Sequence, residues 1–461
     1  MAALPPDPFE SGITPFAMDL RGGRITALEA TEACLARIAA LNPRLDAFQL
    51  VDAERARQAA RAVDGLLAAG TDLGPLMGVT LAVKDIIAVD GLPTTNGSLY
   101  PTEHLTGPEG PLVGRLKAAG CVILGKTKTV EFALGATGVN EARGTPWNPW
   151  DAGTHRFPGG SSSGSAVAVA AGLCGFALGT DTGGSIRIPA SFCGLFGHKT
   201  TVGLWPTKGV FPLSPTLDSI GPLCRSAGDA ALIHAVVTNG KVPMPMRLEG
   251  LRLGRPGGLF LADLDDTTRA TVESALLALS AAGVEIVDID IPEAEERARI
   301  FLGIVPAELV ARLTPEGFAE ARPKMDTVTA MRAAHGLGVT AVEYAASQFR
   351  RLELEAIAAE RFEGLDAWVA PSTPFVAMPV ANLTHPEEAK RALLSSRNTQ
   401  PANVFGICAA SMPIQQFGAS LPVGLQLMAP RGEDARLLSM ALAFEPVLGV
   451  GTPPDLSGFL G

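Results

Sequence analysis

Apolar and polar positions follow two periods along this chain and switch between them repeatedly. From Thr26 to Ala40, residues Leu28, Cys34, Leu35 and Ile38 share one helical face, and Asn42-Pro43 is expected to end that helix. Asp52 to Ala69 predicts a second helix, closed by Gly70. Gly78 to Val83 is then a short apolar run with the look of a buried strand. Pro111 to Ala119 predicts a helix, Cys121 to Leu124 a strand, and Lys208 to Asp218 a proline-rich loop. Leu251 to Arg255 and Val284 to Val287 read as strands around a helix over Thr267 to Ala281. The region 290–360 reads as helical without a sharper pattern. This alternation predicts an α/β fold with a largely parallel sheet. One domain over 1–461 is the simplest organisation, with a core at about 75–230 and a helical lobe at about 230–360.

The most unusual pattern lies between Pro158 and Ala190. Two glycine-serine clusters, Gly159 to Ser165 and Thr182 to Ser185, flank an uncharged segment of small apolar residues. That segment, Ala166 to Leu178, predicts a close-packed buried helix leading through Gly172 and Gly175 into a strand, Phe176 to Gly179. Each cluster can offer backbone N–H groups to a ligand and a hydroxyl nucleophile. A rigid segment between them would hold the clusters in fixed relation.

Composition narrows the function classes. Of 461 residues, 47% are hydrophobic and 18% charged, as expected of a globular interior. The net charge of −10 and the lack of a basic run argue against a nucleic-acid partner. The longest uncharged apolar run, within 165–180, is too short and glycine-rich to span a bilayer. Met1 to Glu10 has neither a basic nor an apolar signal segment, so a cytoplasmic location is expected. The six cysteines form no C-x-x-C pair, which argues against a metal site and a disulfide framework.

Two motif matches fail on context. Gly120-x4-Gly125-Lys126-Thr127 has phosphate-loop spacing, but its intervening residues are themselves a predicted strand. Gly160-Ser161-Ser162-Ser163-Gly164 satisfies G-x-S-x-G, yet the residues before it end in proline and read as loop rather than strand.

Gly159-Gly160-Ser161-Ser162 with Gly164, then Gly179, Asp181, Gly183, Gly184, Ser185, Ile186, Arg187 and Pro189, closely resembles the amidase signature family. The resemblance implies a central twisted, mostly parallel mixed β-sheet with helices on both faces. It implies Ser185 as nucleophile, Ser161 as relay after a cis peptide bond, and Lys84, following the VTLAV strand, as base. Backbone N–H groups of Thr182, Gly183, Gly184 and Ser185 would hold the oxyanion. Glu131 to Gly135, with Ala133, Leu134 and Gly135, resembles the loop that approaches the acyl side of the pocket. For Lys84 to act near neutral pH, burial must lower its pKa. Arg187 has two readings, a structural partner for Asp181 or a ligand for a substrate carboxylate, and the structural one is preferred. His198 replaces a more usual apolar residue and is expected to pack rather than act as a base.

The implied activity is cleavage of an amide, carbamate or ester through an acyl-enzyme, without cofactor or metal. The alternative is the glutaminase-type component of a tRNA-dependent amidotransferase complex, its A subunit. The expected partner is a small-molecule amide or carbamate. No pattern identifies the substrate, and a homodimer is carried as the expectation for assembly.

Overall fold

Short β-branched and apolar runs become strands, and a single sheet collects them. The computed structural model describes residues 4–460, so Met1 to Ala3 and Gly461 of the expected 1–461 domain lie outside it. The first strands are β1 (Phe48–Val51), β2 (Thr80–Lys84), β3 (Val122–Thr127) and β4 (Phe176–Asp181). Next come β5 (Phe196–Lys199), β6 (Ser219–Cys224), β7 (Arg252–Pro256) and β8 (Glu285–Ile289). β9 (Ala367–Pro371), β10 (Cys408–Pro413) and β11 (Gly424–Ala429) complete the set. Their order is β1-β3-β2-β4-β6-β5-β10-β11-β9-β7-β8.

The α/β class and the mixed sheet are as expected, but the sheet is not mostly parallel. β2 runs parallel to β3 and β4, and β7 to β8 and β9. Every other pairing is antiparallel. The reason is in the connections. Parallel neighbours need a crossover, and the helices Pro111–Ala118 and Asp266–Ala281 provide two. After the loop 208–218, β6 instead inserts antiparallel between β4 and β5.

Helices cover both faces, as the alternation of side chains along β5 shows. A Cβ on Gly197 would lie 2.6 Å from Ala190 of the helix Arg187–Cys193. The next residue, His198, points the other way and lies 3.2 Å from Asp434 of the helix Asp434–Leu448. His198 is therefore a packing residue on the face opposite Gly197.

The predicted helix over Thr26 to Ala40 is Ala27–Leu45 and does not stop at Asn42-Pro43. Leu41 and Leu45 are both fully buried, which keeps the chain helical for another turn. The Asn42 side chain then accepts from the backbone N–H groups of Ala47 and Phe48 and turns the chain into β1. The helix Ile13–Arg21 and strand β1 have no counterpart among the predicted elements. The helical part of the lobe is narrower than 230–360. β7, β8 and their helix belong to the sheet, and the lobe helices are Arg297–Leu313, Pro315–Ala321, Thr327–Ala334 and Ala341–Arg361. Among the described residues, no helix is long and apolar enough to cross a membrane.

Candidate active site

Lys84 is the last residue of β2, and β2 lies parallel beside β4, so the C-terminal ends of the two strands adjoin. Ligands in open α/β sheets gather at such ends. Lys84 is fully buried, with its Nζ 2.8 Å from Ser161 Oγ and 2.8 Å from Thr180 Oγ1. Burial pushes its pKa from 10.5 down to about 7, against the opposing pull of the Asp218 and Asp181 carboxylates. Near neutral pH this amine can both accept and return a proton.

The Gly160–Ser161 peptide is cis. The Ser161 carbonyl accepts from the Val130 N–H at 3.2 Å and from Thr129 Oγ1 at 3.0 Å. Ser162 ties the two glycine-serine clusters together: its N–H donates to the Ser185 carbonyl at 3.3 Å, and its hydroxyl lies 3.3 Å from both the N–H and the carbonyl of Thr180. The helix Ser163–Ala170 and β4, which join the clusters, are buried throughout. Ser185 is 8% exposed, and its hydroxyl has no hydrogen-bond partner among the described residues. Of the two serines expected to act, it is the one open to a ligand.

The loop 182–186 is held from below by Asp181. One carboxylate oxygen accepts from the Gly184 N–H at 2.8 Å, the other from the Ile186 N–H at 3.1 Å. Arg187 grips the same carboxylate in bidentate fashion, and Asn403 adds a bond at 2.8 Å. Burial works to raise the Asp181 pKa, but Arg187, with Lys199 and Asn403, outweighs it and holds the carboxyl well below its ordinary range. Arg187 also donates to Thr399 O, Gln426 Oε1 and Asn403 Oδ1. All five of its N–H groups are then used, so none remains for a substrate carboxylate.

This arrangement corrects one expectation. The Gly184 N–H is committed to Asp181, so it is not free to hold an oxyanion. The N–H groups of Thr182, Gly183 and Ser185 have no such partner among the described residues. Gly184 has a different necessity: its φ is 126°, and a Cβ there would lie 2.1 Å from Thr399 Oγ1. Beside the loop, Thr182 Oγ1 donates to Asp218 at 2.5 Å, and burial pushes the Asp218 pKa up to about 7.

Ala133, Leu134 and Gly135 lie on the segment that wraps this site. Phe132 and Ala133 have φ of 51° and 59°, a left-handed pair that costs about 1–2 kcal/mol per residue. Phe132 is core, its ring 5.5 Å from that of Phe211. The Gly160 N–H donates to Ala136 O at 2.7 Å, which sets the segment directly against the cis peptide. Glu131 accepts from Ser98 Oγ at 2.6 Å and from the Asp326 N–H at 2.7 Å, and burial pushes its pKa up to about 7. The phosphate-loop look-alike is ordinary structure: Lys126 lies in β3, and its ammonium is 2.8 Å from buried Asp85.

Several residues around the site carry no clear signal in the sequence. Thr180 and Thr399 sit among other polar residues, and nothing local singles out either hydroxyl. Phe301 comes from the lobe, and its ring meets the position a Cβ on Gly183 would take, at 2.7 Å. Asn403 and Gln426 lie far along the chain from the Asp181 and Arg187 they hold, and nothing local marks them as partners.

The chain is similar to known proteins over nearly its whole length. A model of the Amidase family matches residues 29–438. The chain is 40% identical to 2-amino-5-chloromuconic acid deaminase of Comamonas testosteroni, over 94% of this chain and 96% of that protein. It is 36% identical to the A subunit of glutamyl-tRNA(Gln) amidotransferase from Synechococcus sp. (strain RCC307), again over 94% and 96%. A crystal structure of an amidase superposes with a TM-score of 0.87 at 31% identity, covering 95% of this chain and all of that one.

Proposed function

The chain belongs to the amidase family, hydrolases of carbon–nitrogen bonds, and from that premise we propose that it is an amidohydrolase working through an acyl-enzyme on Ser185. The observation that carries the reading is the contact between the buried Lys84 amine and Ser161 Oγ, with the next residue, Ser162, bonded through its N–H to the Ser185 carbonyl. In this reading Ser185 Oγ attacks the substrate carbonyl, its proton passes to Ser161, and the Ser161 proton passes to neutral Lys84. The N–H groups of Thr182, Gly183 and Ser185 receive the developing oxyanion. Losing one such donor typically costs about 3–4 kcal/mol. The C–N bond then breaks as Lys84 returns the proton through Ser161 to the leaving nitrogen. Water adds to the acyl-enzyme by the same route in reverse and frees the acid and Ser185.

A carbamate or an ester could be cleaved by the same steps. The name of the Comamonas relative describes deamination of an acid, so ammonia is the product to follow first. The similarity to the amidotransferase component supports a second reading, a glutaminase that passes ammonia to a partner.

Release of ammonia and amines by the purified chain, over amides, carbamates and glutamine, separates the two. Turnover without a partner, abolished in Ser185→Ala, is expected for the stand-alone hydrolase. Glutamine as the single substrate, cleaved poorly until partner proteins are added, would favour the amidotransferase reading. Activity that survives Ser185→Ala would remove Ser185 from its role.

A further inference from the structure

Glu308 is a lobe carboxylate that the steps above do not use. It lies half-buried on the helix Arg297–Leu313. No lysine or arginine is within ion-pair distance of it among the described residues. Its partners are neutral donors. Ser214 Oγ, Thr216 Oγ1 and the Thr216 N–H donate to it, so three bonds pin the turn 214–216 to the lobe. Tyr344 Oη, on the helix Ala341–Arg361, adds a bond at 2.7 Å. Hydrogen bonds to a charged group are the stronger kind, and this carboxylate directs most of them at a single turn.

That turn leads to the loop that carries Ser185. The Ser214 N–H donates to Asp218 Oδ2 at 2.9 Å, and Thr182 Oγ1 donates to Asp218 Oδ1 at 2.5 Å. Glu308, Ser214, Asp218 and Thr182 thus form one hydrogen-bonded path from the lobe to the loop 182–186. The same helix reaches that loop a second time. Phe301 lies seven residues before Glu308, two helical turns away on one face. Its ring meets the position of a Cβ on Gly183 at 2.7 Å. Asp181 holds Gly184 and Ile186 from the side of the sheet. Thr182 and Gly183, whose N–H groups have no partner among the described residues, are backed from the lobe.

We propose that Glu308 is a positioning residue for the oxyanion site. It fixes the turn 214–216, the turn orients Asp218, and Asp218 aims the backbone of Thr182 at the reacting carbonyl. The role rests on the acyl-enzyme reading above; the hydrogen-bonded path can be tested apart from it.

The kinetic test uses p-nitrophenyl acetate beside its thionoester, in which sulfur replaces the carbonyl oxygen. Sulfur is a weak acceptor, so N–H groups placed for an oxyanion favour the oxygen ester, and the wild type should have the higher kcat/KM on it. Glu308→Ala should lower kcat for the oxygen ester about 10- to 100-fold, with KM within about 3-fold, because the affected bonds form in the transition state. The thionoester should lose less, so the ratio between the two should shrink, which a loss of stability alone does not do. Glu308→Gln, which keeps an acceptor for Thr216, should restore part of the ratio. Ser214→Ala removes the same link from its other end. It should give the same shrinkage, adding Glu308→Ala to it should change little more, and it stands in if Glu308→Ala does not fold. Equal loss on both esters, a raised KM with kcat intact, or no loss would overturn the proposal. A wild type indifferent to the exchange of oxygen for sulfur would remove the oxyanion site, and the proposal with it.

A second measurement needs no turnover. Crystal structures of the wild type and of Glu308→Ala should differ at Thr182, with its bond to Asp218 lost or its N–H moved by more than about 0.5 Å, the tolerance of a productive site. An unmoved Thr182 would overturn the path even if the chain proves to be an amidase. A displaced Thr182 in a protein that cleaves no amide or ester would uphold the path and sink the acyl-enzyme reading alone.

Discussion

The stretch 157–201 and the helices 297–361 are built on opposite principles. From Phe157 to Thr201 every residue but Gly194 is buried. The lobe helices leave large apolar side chains in solvent, among them Met331, Val342 and Phe349 at 67%, 78% and 67% exposure. The first region is fixed by strand ladders and the saturated Asp181–Arg187 network. The second meets the site at separate points, through Asp326 and Arg332 on the 131–135 segment and Phe301 on Gly183. On the proposed function, the difference teaches a division of labour: a frame for bond breaking that tolerates little change, and a cover whose residues can alter what is admitted.

The sharpest way to break that comparison is Ser185→Ala. It should lower kcat/KM by at least about 10⁴-fold while the thermal midpoint stays near the wild type. A large drop in the midpoint would mean that Ser185 serves the fold. Next in size, Arg187→Met strands a buried Asp181 carboxylate and should cost about 3–5 kcal/mol in urea unfolding. A loss under about 1 kcal/mol would show that the network is not what fixes the loop.

Smaller again is the effect of pH. With Lys84 at about 7, kcat/KM should fall tenfold per pH unit below that value and level off above it. The Asp218 charge favours protonated Lys84, so Asp218→Asn should move the limb to lower pH. An unmoved limb would assign it to another group. The same lysine has a stability consequence. Between pH 7 and 10.5 the unfolded chain keeps a Lys84 proton that the folded chain has lost, so this group's contribution to stability rises with pH across that window. Replacing Lys84 with Met should flatten that slope. The smallest effect is expected at Phe349→Ser on the exposed face of the lobe, within about 0.5 kcal/mol and without a change in kcat/KM. A clear loss there would mean that the lobe is as constrained as the frame.

The frame is the legible part. Ser161 and Ser185 stand out because glycine-serine clusters around a small-residue segment are rare and their spacing is fixed, whereas Lys84 is marked only by its place after a strand and by the family resemblance; the structure brings Lys84 and Ser161 into contact and links the two clusters. Strands made of short apolar runs fall within a few residues of their expected places. What the sequence hides depends on distant partners. The Gly184 N–H looks like any other until Asp181 is seen to take it. The antiparallel share of the sheet depends on β6 inserting between β4 and β5, which no local pattern encodes. Pro43 stays within a helix because Leu41 and Leu45 are buried. Glu308 sits in Pro-Ala-Glu-Leu-Val, a helical context shared by many surface glutamates, and only its position against Ser214 and Thr216 sets it apart.

The Arg187 network has a consequence for how the protein is made. Its partners Thr399 and Gln426 lie 212 and 239 residues further along the chain, and Asp181 waits 222 residues for Asn403. A ribosome therefore releases both serines and the lysine long before it releases the residues that complete the clamp on the Ser185 loop. Fragments that end before Gln426, whether stalled or cut, carry the two serines and the lysine without the full clamp on the loop that bears Ser185. The cell gains the hydrolase only at the close of synthesis.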